Sequence, residues 1–193
     1  AEELEALLGH LGTWAKLVKA GAPPPEYSNA LDEETRSLFS AQTGNLLGGE
    51  PTLHPHFERI VKEIKALGLG AMVFTNGSQP AKLNALKDEL WTVVLNGHFA
   101  DRATELEFEP MRIHANLPVL PGLDIHAALV KIRDAGIKTL YMAIAAPAGG
   151  APGTTYTPLD LEAMQAMHRV AKRFCREHEI FLAYDCSFPV CVD

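Results

Sequence analysis

The sequence predicts an α/β fold built on parallel strands, and three observations predict it. Short apolar runs alternate with amphipathic stretches of helical period. The runs read as continuously hydrophobic, as strands covered on both faces do, and glycines stand between helical stretches and the strands that follow. With 193 residues, 47% of them hydrophobic and 21% charged, the chain has the composition of one globular domain.

The elements have local causes. Over residues 2–20, Leu4, Leu7, Leu8, Leu11, Trp14, Leu17 and Val18 recur at three-and-four spacing, which predicts an amphipathic helix within 1–22. Pro23-Pro24-Pro25 cannot continue it, so 23–30 is expected to be a connector. Residues 31–193 then form the core, expected to continue beyond 193. A helix starts at Asp32, a good N-cap, with Glu33 and Glu34 on the positive end of its dipole and Leu38 and Phe39 buried. Strands and helices follow in turn: strand 45–47 and helix 55–67, strand 71–75 and helix 80–89, strand 91–95, strand 111–116 and helix 123–135, strand 138–145 and helix 158–177, strand 180–184. Gly68 and Gly136 stand where left-handed C-caps are wanted, and Thr157-Pro158 reads as an N-cap with proline in the first turn. The loop 145–153 leaves a strand's C-terminal end, where parallel α/β folds carry their chemistry.

Seventeen Lys and Arg against 24 Asp and Glu give a net charge of −7 with no basic stripe, which argues against nucleic acid as a partner and for a small ligand. No apolar run approaches the roughly 20 residues that cross a bilayer, and the acidic start is unlike a signal peptide, so a cytoplasmic protein with no membrane partner is expected. Cys175, Cys186 and Cys191 are too few and too unevenly placed for a disulfide framework.

The most informative stretch is Asn45-Leu46-Leu47-Gly48-Gly49-Glu50-Pro51-Thr52-Leu53-His54-Pro55. A buried strand runs into two glycines that allow close approach of backbone to a ligand. A carboxylate follows at the strand end, and Pro51 stiffens the exit. Such a corner can hold an ammonium group. The next two strands end in Thr75-Asn76-Gly77 and Leu95-Asn96-Gly97, presenting two amides able to hydrogen-bond a ribose or a carboxylate.

GGEPTLHP, followed one strand later by TNG and then by a strand ending in a polar residue plus glycine, resembles the radical S-adenosylmethionine superfamily over residues 30–191. The resemblance implies a partial parallel (βα)6-type barrel. It implies that Gly48, Gly49 and Glu50 bind the amino group of S-adenosylmethionine, that Pro51 shapes the turn, and that Asn76 and Asn96 lie beside the cofactor. It further implies a [4Fe–4S] cluster, an external electron donor, and reductive cleavage of S-adenosylmethionine with hydrogen abstraction from a substrate the sequence does not identify. Asp185-Cys186-Ser187-Phe188-Pro189-Val190-Cys191 looks like the segment after the last barrel strand in members carrying extra clusters, which makes Cys186 and Cys191 candidate metal ligands.

The pattern departs from the family at one place. The CxxxCxxC triplet whose thiolates hold the cluster is absent, and no strand is evident before the helix at 32, so the first strand and its cluster loop are expected to be missing. Two readings stand: an enzyme of which this chain is one part, or a cluster-less binding module on the same scaffold. A third is a barrel-type metal-dependent hydrolase using His54 and His56, for which only His98, His114 and Asp185 offer further ligands. His114 and Cys175 lie within apolar patterns and are expected in the core.

Overall fold

The computed structural model describes residues 5, 9, 43–144 and 161–184. Six strands, β1 (Thr43–Leu46), β2 (Gly70–Thr75), β3 (Leu90–Asn96), β4 (Ile113–Val119), β5 (Thr139–Ile144) and β6 (Phe181–Tyr184), form one sheet in that spatial order. Every pairing is parallel. Helices α1 (Phe57–Ala66), α2 (Pro80–Ala85), α3 (Ile125–Asp134) and α4 (Leu161–Glu177) run between strands. The expected architecture is therefore present: an all-parallel α/β sheet of the partial-barrel kind. The N-terminal helix, the connector, the helix at Asp32, the 145–153 loop, Thr157-Pro158, Cys186 and Cys191 lie outside the described residues. Glu5 and Gly9 are exceptions; both are helical, and the Glu5 carboxylate pairs with Arg59 of α1 at 2.6 Å.

Three helices end by the same device. After α1, Gly68 takes φ +73° and donates to the Lys65 carbonyl at 2.8 Å, while Leu69 donates back to Ile64 at 3.2 Å. After α3, Gly136 (φ +74°) and Ile137 repeat the arrangement on Arg133 and Ile132. After α4, Glu179 takes the left-handed turn at φ +54° and Ile180 donates to Cys175 at 2.8 Å. Such a cap satisfies carbonyls that a helix end leaves open. It also delivers a buried aliphatic residue, Leu69, Ile137 or Ile180, to the start of the next strand.

One expectation needs correction. The helix expected over 80–89 stops at Ala85, because Leu86 is buried and bonds of shorter span, Leu86 to Leu83 and Glu89 to Leu86, tighten the chain into turns leading to β3. Between β3 and β4 there is no α-helix among the described residues; the chain forms 3₁₀ turns at Gly97–Glu105 and Pro110–Arg112. Gly97 makes this possible, since a Cβ there would lie 3.1 Å from Leu117 and 3.3 Å from Ile132.

The core lies between the helices and one face of the sheet. On β2 and β4 burial alternates strictly, with Ala71, Val73, Ile113, Ala115 and Leu117 meeting Val61, Ile64, Leu129 and Ile132 of α1 and α3. The opposite, inner face carries Phe74, Val94, Asn96 and Asn116, and it opens at the C-terminal ends of the strands. That alternation decides which side chains are left for chemistry.

Candidate functional site

The site begins where β1 ends. Leu47 is 65% exposed, and Gly48 turns the chain with φ +127°, a conformation that side chains disfavour. Gly49 is different. Its backbone is not in the left-handed region, and a Cβ built on it meets nothing within 4 Å. Neither strain nor packing against the described residues requires a glycine there; open space in front of it is what the missing side chain leaves among them.

Glu50 then caps the 3₁₀ turn Pro51–Leu53, with Pro51 at its start. Its Oε1 accepts from the Thr52 amide at 3.1 Å, the Thr52 hydroxyl at 2.6 Å and the Thr75 hydroxyl at 2.7 Å; Oε2 accepts from the Asn76 amide at 2.7 Å. Partial burial opposes the charge, but the Thr52 hydroxyl, the Asn76 amide, the Thr75 hydroxyl and the Thr52 amide together hold the carboxyl below its ordinary value. Glu50 is thus ionised and ties the tip of β1 to the tip of β2. No Lys or Arg among the described residues pairs with it; Lys82, close by, donates to the Thr52 carbonyl instead. An ionised carboxylate offers about four acceptor positions, and Oε2 has used one of its two. The arrangement has room for one further donor and no resident positive charge.

Asn76 and Asn96 sit at the tips of β2 and β3. Each spends its side-chain oxygen on its own turn, Asn76 accepting from Ser78 at 2.8 Å and Asn96 from His98 at 3.0 Å. Their amide NH₂ groups remain as donors. Arg102 fixes the Asn76 carbonyl at 2.7 Å and stacks its guanidinium 4.6 Å from the Phe99 ring. Gly48, Gly49, Asn76 and Asn96 line one cavity of about 280 Å³ at the strand tips, together with Asn116 of β4. Glu50 and Pro51 line a second groove of about 490 Å³ beside β1, whose wall with the first cavity is the Gly48-Gly49 backbone. The six residues expected to surround a cofactor are therefore neighbours, divided between the two sides of one glycine corner. Asn116 is a lining residue that the strand-tip argument misses, because it lies inside β4 rather than at its end; its signal is a lone asparagine in an apolar run.

Other candidates do not gather. His54 and His56 are both exposed, with ring centroids 5.8 Å apart, and the His54 Nδ1 accepts from the His56 amide at 3.2 Å. Among the described residues no three His, Cys, Asp or Glu side chains form a group able to hold a metal ion, and Asp185 lies outside the described residues. His114, expected in the core, is half-buried; its Nε2 donates to the Met111 carbonyl at 3.2 Å, and burial pushes its pKa down, so it is neutral near pH 7. Cys175 is buried as expected, and burial pushes its thiol up to about 11. A protonated thiol in a helix core is no ligand for iron. With cysteines only at 175, 186 and 191 in the whole sequence, the residues described here do not fit a [4Fe–4S] cluster. No helix among the described residues is long and apolar enough to cross a membrane.

The all-parallel six-stranded sheet, with its Gly-Gly-Glu corner at the C-terminal rim, is similar in fold to solved structures of radical S-adenosylmethionine proteins. The solved structures it is similar to include Streptococcus suis SuiB bound to S-adenosylmethionine, with a TM-score of 0.58 and 14% identity over 81% of this chain and 45% of that one. SuiB bound to its precursor peptide SuiA gives 0.58 and 14% over 74% and 38%. TYW1 with a lysine–pyruvate adduct gives 0.52 and 13% over 88% and 61%. The chain thus spans less than half the length of SuiB. No protein-family model matches the sequence, and no curated protein matches it significantly.

Proposed function

We propose that this chain binds S-adenosylmethionine at the C-terminal rim of its sheet, as the cofactor-binding part of a radical S-adenosylmethionine protein. The observation that carries the reading is Glu50: an ionised carboxylate, oriented by four donors of the chain itself, with an acceptor position left over and no cation beside it. The α-amine of the cofactor supplies the missing positive charge. Gly48 and Gly49 let the amino-acid end lie against backbone, Pro51 fixes the turn that aims Glu50, and the NH₂ groups of Asn76 and Asn96 donate to hydroxyl or carboxylate oxygens. SuiB, which has this fold, is known in complex with S-adenosylmethionine.

Glu50 is oriented by two threonines and an amide of the chain itself, so recognition of the α-amine is assigned to these residues. The chain's own residues contribute recognition and orientation, and no redox step is assigned to them. Cys186 and Cys191 are retained as candidate ligands of an additional metal group. SuiB's complex with a precursor peptide makes a peptide one class of substrate to test.

Titration calorimetry on iron-free protein tests the reading. Wild type is expected to bind S-adenosylmethionine, Glu50→Ala to bind at least tenfold more weakly, and Gly49→Val to lose binding while unfolding at the wild-type temperature, since its side chain enters open space. Unchanged affinity in Gly49→Val would refute the site. Anaerobic addition of iron and sulfide, read by visible absorption and by release of 5′-deoxyadenosine under reduction, asks separately whether any cluster forms.

A further inference from the structure

Among the described residues β1 pairs on one side only, with β2. The groove of about 490 Å³ is lined by every residue from Gly44 to Pro51 in succession. Alternate residues of a strand point to opposite faces, so a groove that touches each in turn runs along the strand's edge. Its far wall is apolar, made by Phe57, Ile60 and Ile64 of α1. Leu47 beside it is exposed, and Leu46 and Ile60 are only partly buried. A free strand edge next to apolar side chains is a template for unwanted pairing, and folded chains cover such edges with a helix or a loop.

We propose that the chain's own residues 4–18 cover this edge, with the apolar stripe that runs from Leu4 to Val18 set against α1 and β1. Two observations select this occupant. Glu5 belongs to that segment, and its carboxylate lies 2.6 Å from the guanidinium of Arg59, the α1 residue just before Ile60. The pair is half-exposed and adds little to stability, but it locates the segment alongside α1. Glu5 and Gly9 are also both helical and both exposed, and a spacing of four puts them on one face. At 3.6 residues per turn that face lies nearly opposite the Leu4–Val18 stripe, so the stripe turns toward the protein while Glu5 and Arg59 meet on the solvent side. The segment takes the place of a further strand and closes the edge to another chain. The inference concerns the apolar wall of the groove and not the Glu50 carboxylate, so it stands apart from the cofactor reading.

Trp14, on the stripe, reports the contact, since it is the only tryptophan left in Trp91→Phe. In that variant its emission is expected to be blue-shifted, with acrylamide quenching at least threefold weaker than in urea. Adding Ile60→Asp on the groove wall should shift the emission to the red and bring quenching within twofold of the urea value. Leu47→Asp should do the same, and because Leu47 is exposed its replacement leaves the fold intact, which circular dichroism on heating verifies. Trp14 quenched in Trp91→Phe as readily as in urea overturns the inference. Protection that survives Leu47→Asp and a folded Ile60→Asp overturns it too, because the stripe then rests elsewhere. Protection lost on dilution, together with a dimer mass by light scattering, assigns the groove to a second copy's segment and overturns the intramolecular contact.

Discussion

Replacing Glu50 by Ala removes a carboxylate that accepts four hydrogen bonds between 2.6 and 3.1 Å, two of them from β2 across to the β1 corner. Hydrogen bonds to a charged group contribute about 1.5–3 kcal/mol each, but these share one acceptor and sit at a half-buried rim where water reaches the freed donors. The expected loss is therefore about 2–4 kcal/mol rather than their sum. For a domain of this size that lowers Tm by roughly 5–12 °C, measured by circular dichroism on heating and by urea unfolding. Thr75→Val removes one donor, and the double variant should lose less than the two singles together by about 0.5 kcal/mol or more. A Glu50→Ala loss below about 1 kcal/mol, or strict additivity with Thr75→Val, would show that the carboxylate does not clamp the two strand tips.

The pH dependence follows from the same group. Its folded pKa lies below its ordinary value, so its contribution is complete above the ordinary value and lost as pH falls through the lowered one; the stability gap between wild type and Glu50→Gln should shrink only on the acid side, which urea midpoints across pH 3–7 would show. Gly48→Ala should cost about 1–3 kcal/mol by urea unfolding, all of it from the backbone at φ +127°, since the added Cβ meets no atom within 4 Å. Glu179→Gly should stabilise by about 0.5–1 kcal/mol, by relieving the left-handed residue after α4; a lowered Tm would contradict it. Cys175, assayed with Cys186 and Cys191 replaced by Ser, should resist a disulfide-exchange reagent at pH 8 until the protein is unfolded, as its thiol stays protonated.

Much of this was legible in the chain where local signals agree. The strand over 71–75 appears at Gly70–Thr75, and Gly68 and Gly136 close their helices at positive φ, because apolar runs and cap glycines act within a few residues. Glu179, which performs the same closure without being glycine, carries no comparable signal. The β3–β4 connection is hidden for another reason: Gly97 is selected by Leu117 and Ile132, residues distant in sequence. At the site, Gly48-Gly49-Glu50 marks the corner, yet the sequence does not say that Thr52 and Thr75 already occupy most of the carboxylate. That fact depends on how β1 and β2 are laid side by side. Asn116 escapes a search of strand tips because its register with Asn96, not its place in the strand, brings it to the cavity.

Strand order in space repeats strand order along the chain, and this bears on how the molecule is made. Each strand docks on the one synthesised just before it, from Ala71 with Leu90 at the near extreme to Thr139 with Phe181 at the far one. Loop closure then stays inexpensive at every step, and no pairing has to wait for a distant C-terminal partner. A ribosome releasing this stretch of polypeptide delivers the strands in their order of docking, with the Gly48-Gly49 corner emerging before β2, β3 and β4, whose residues complete the cavity.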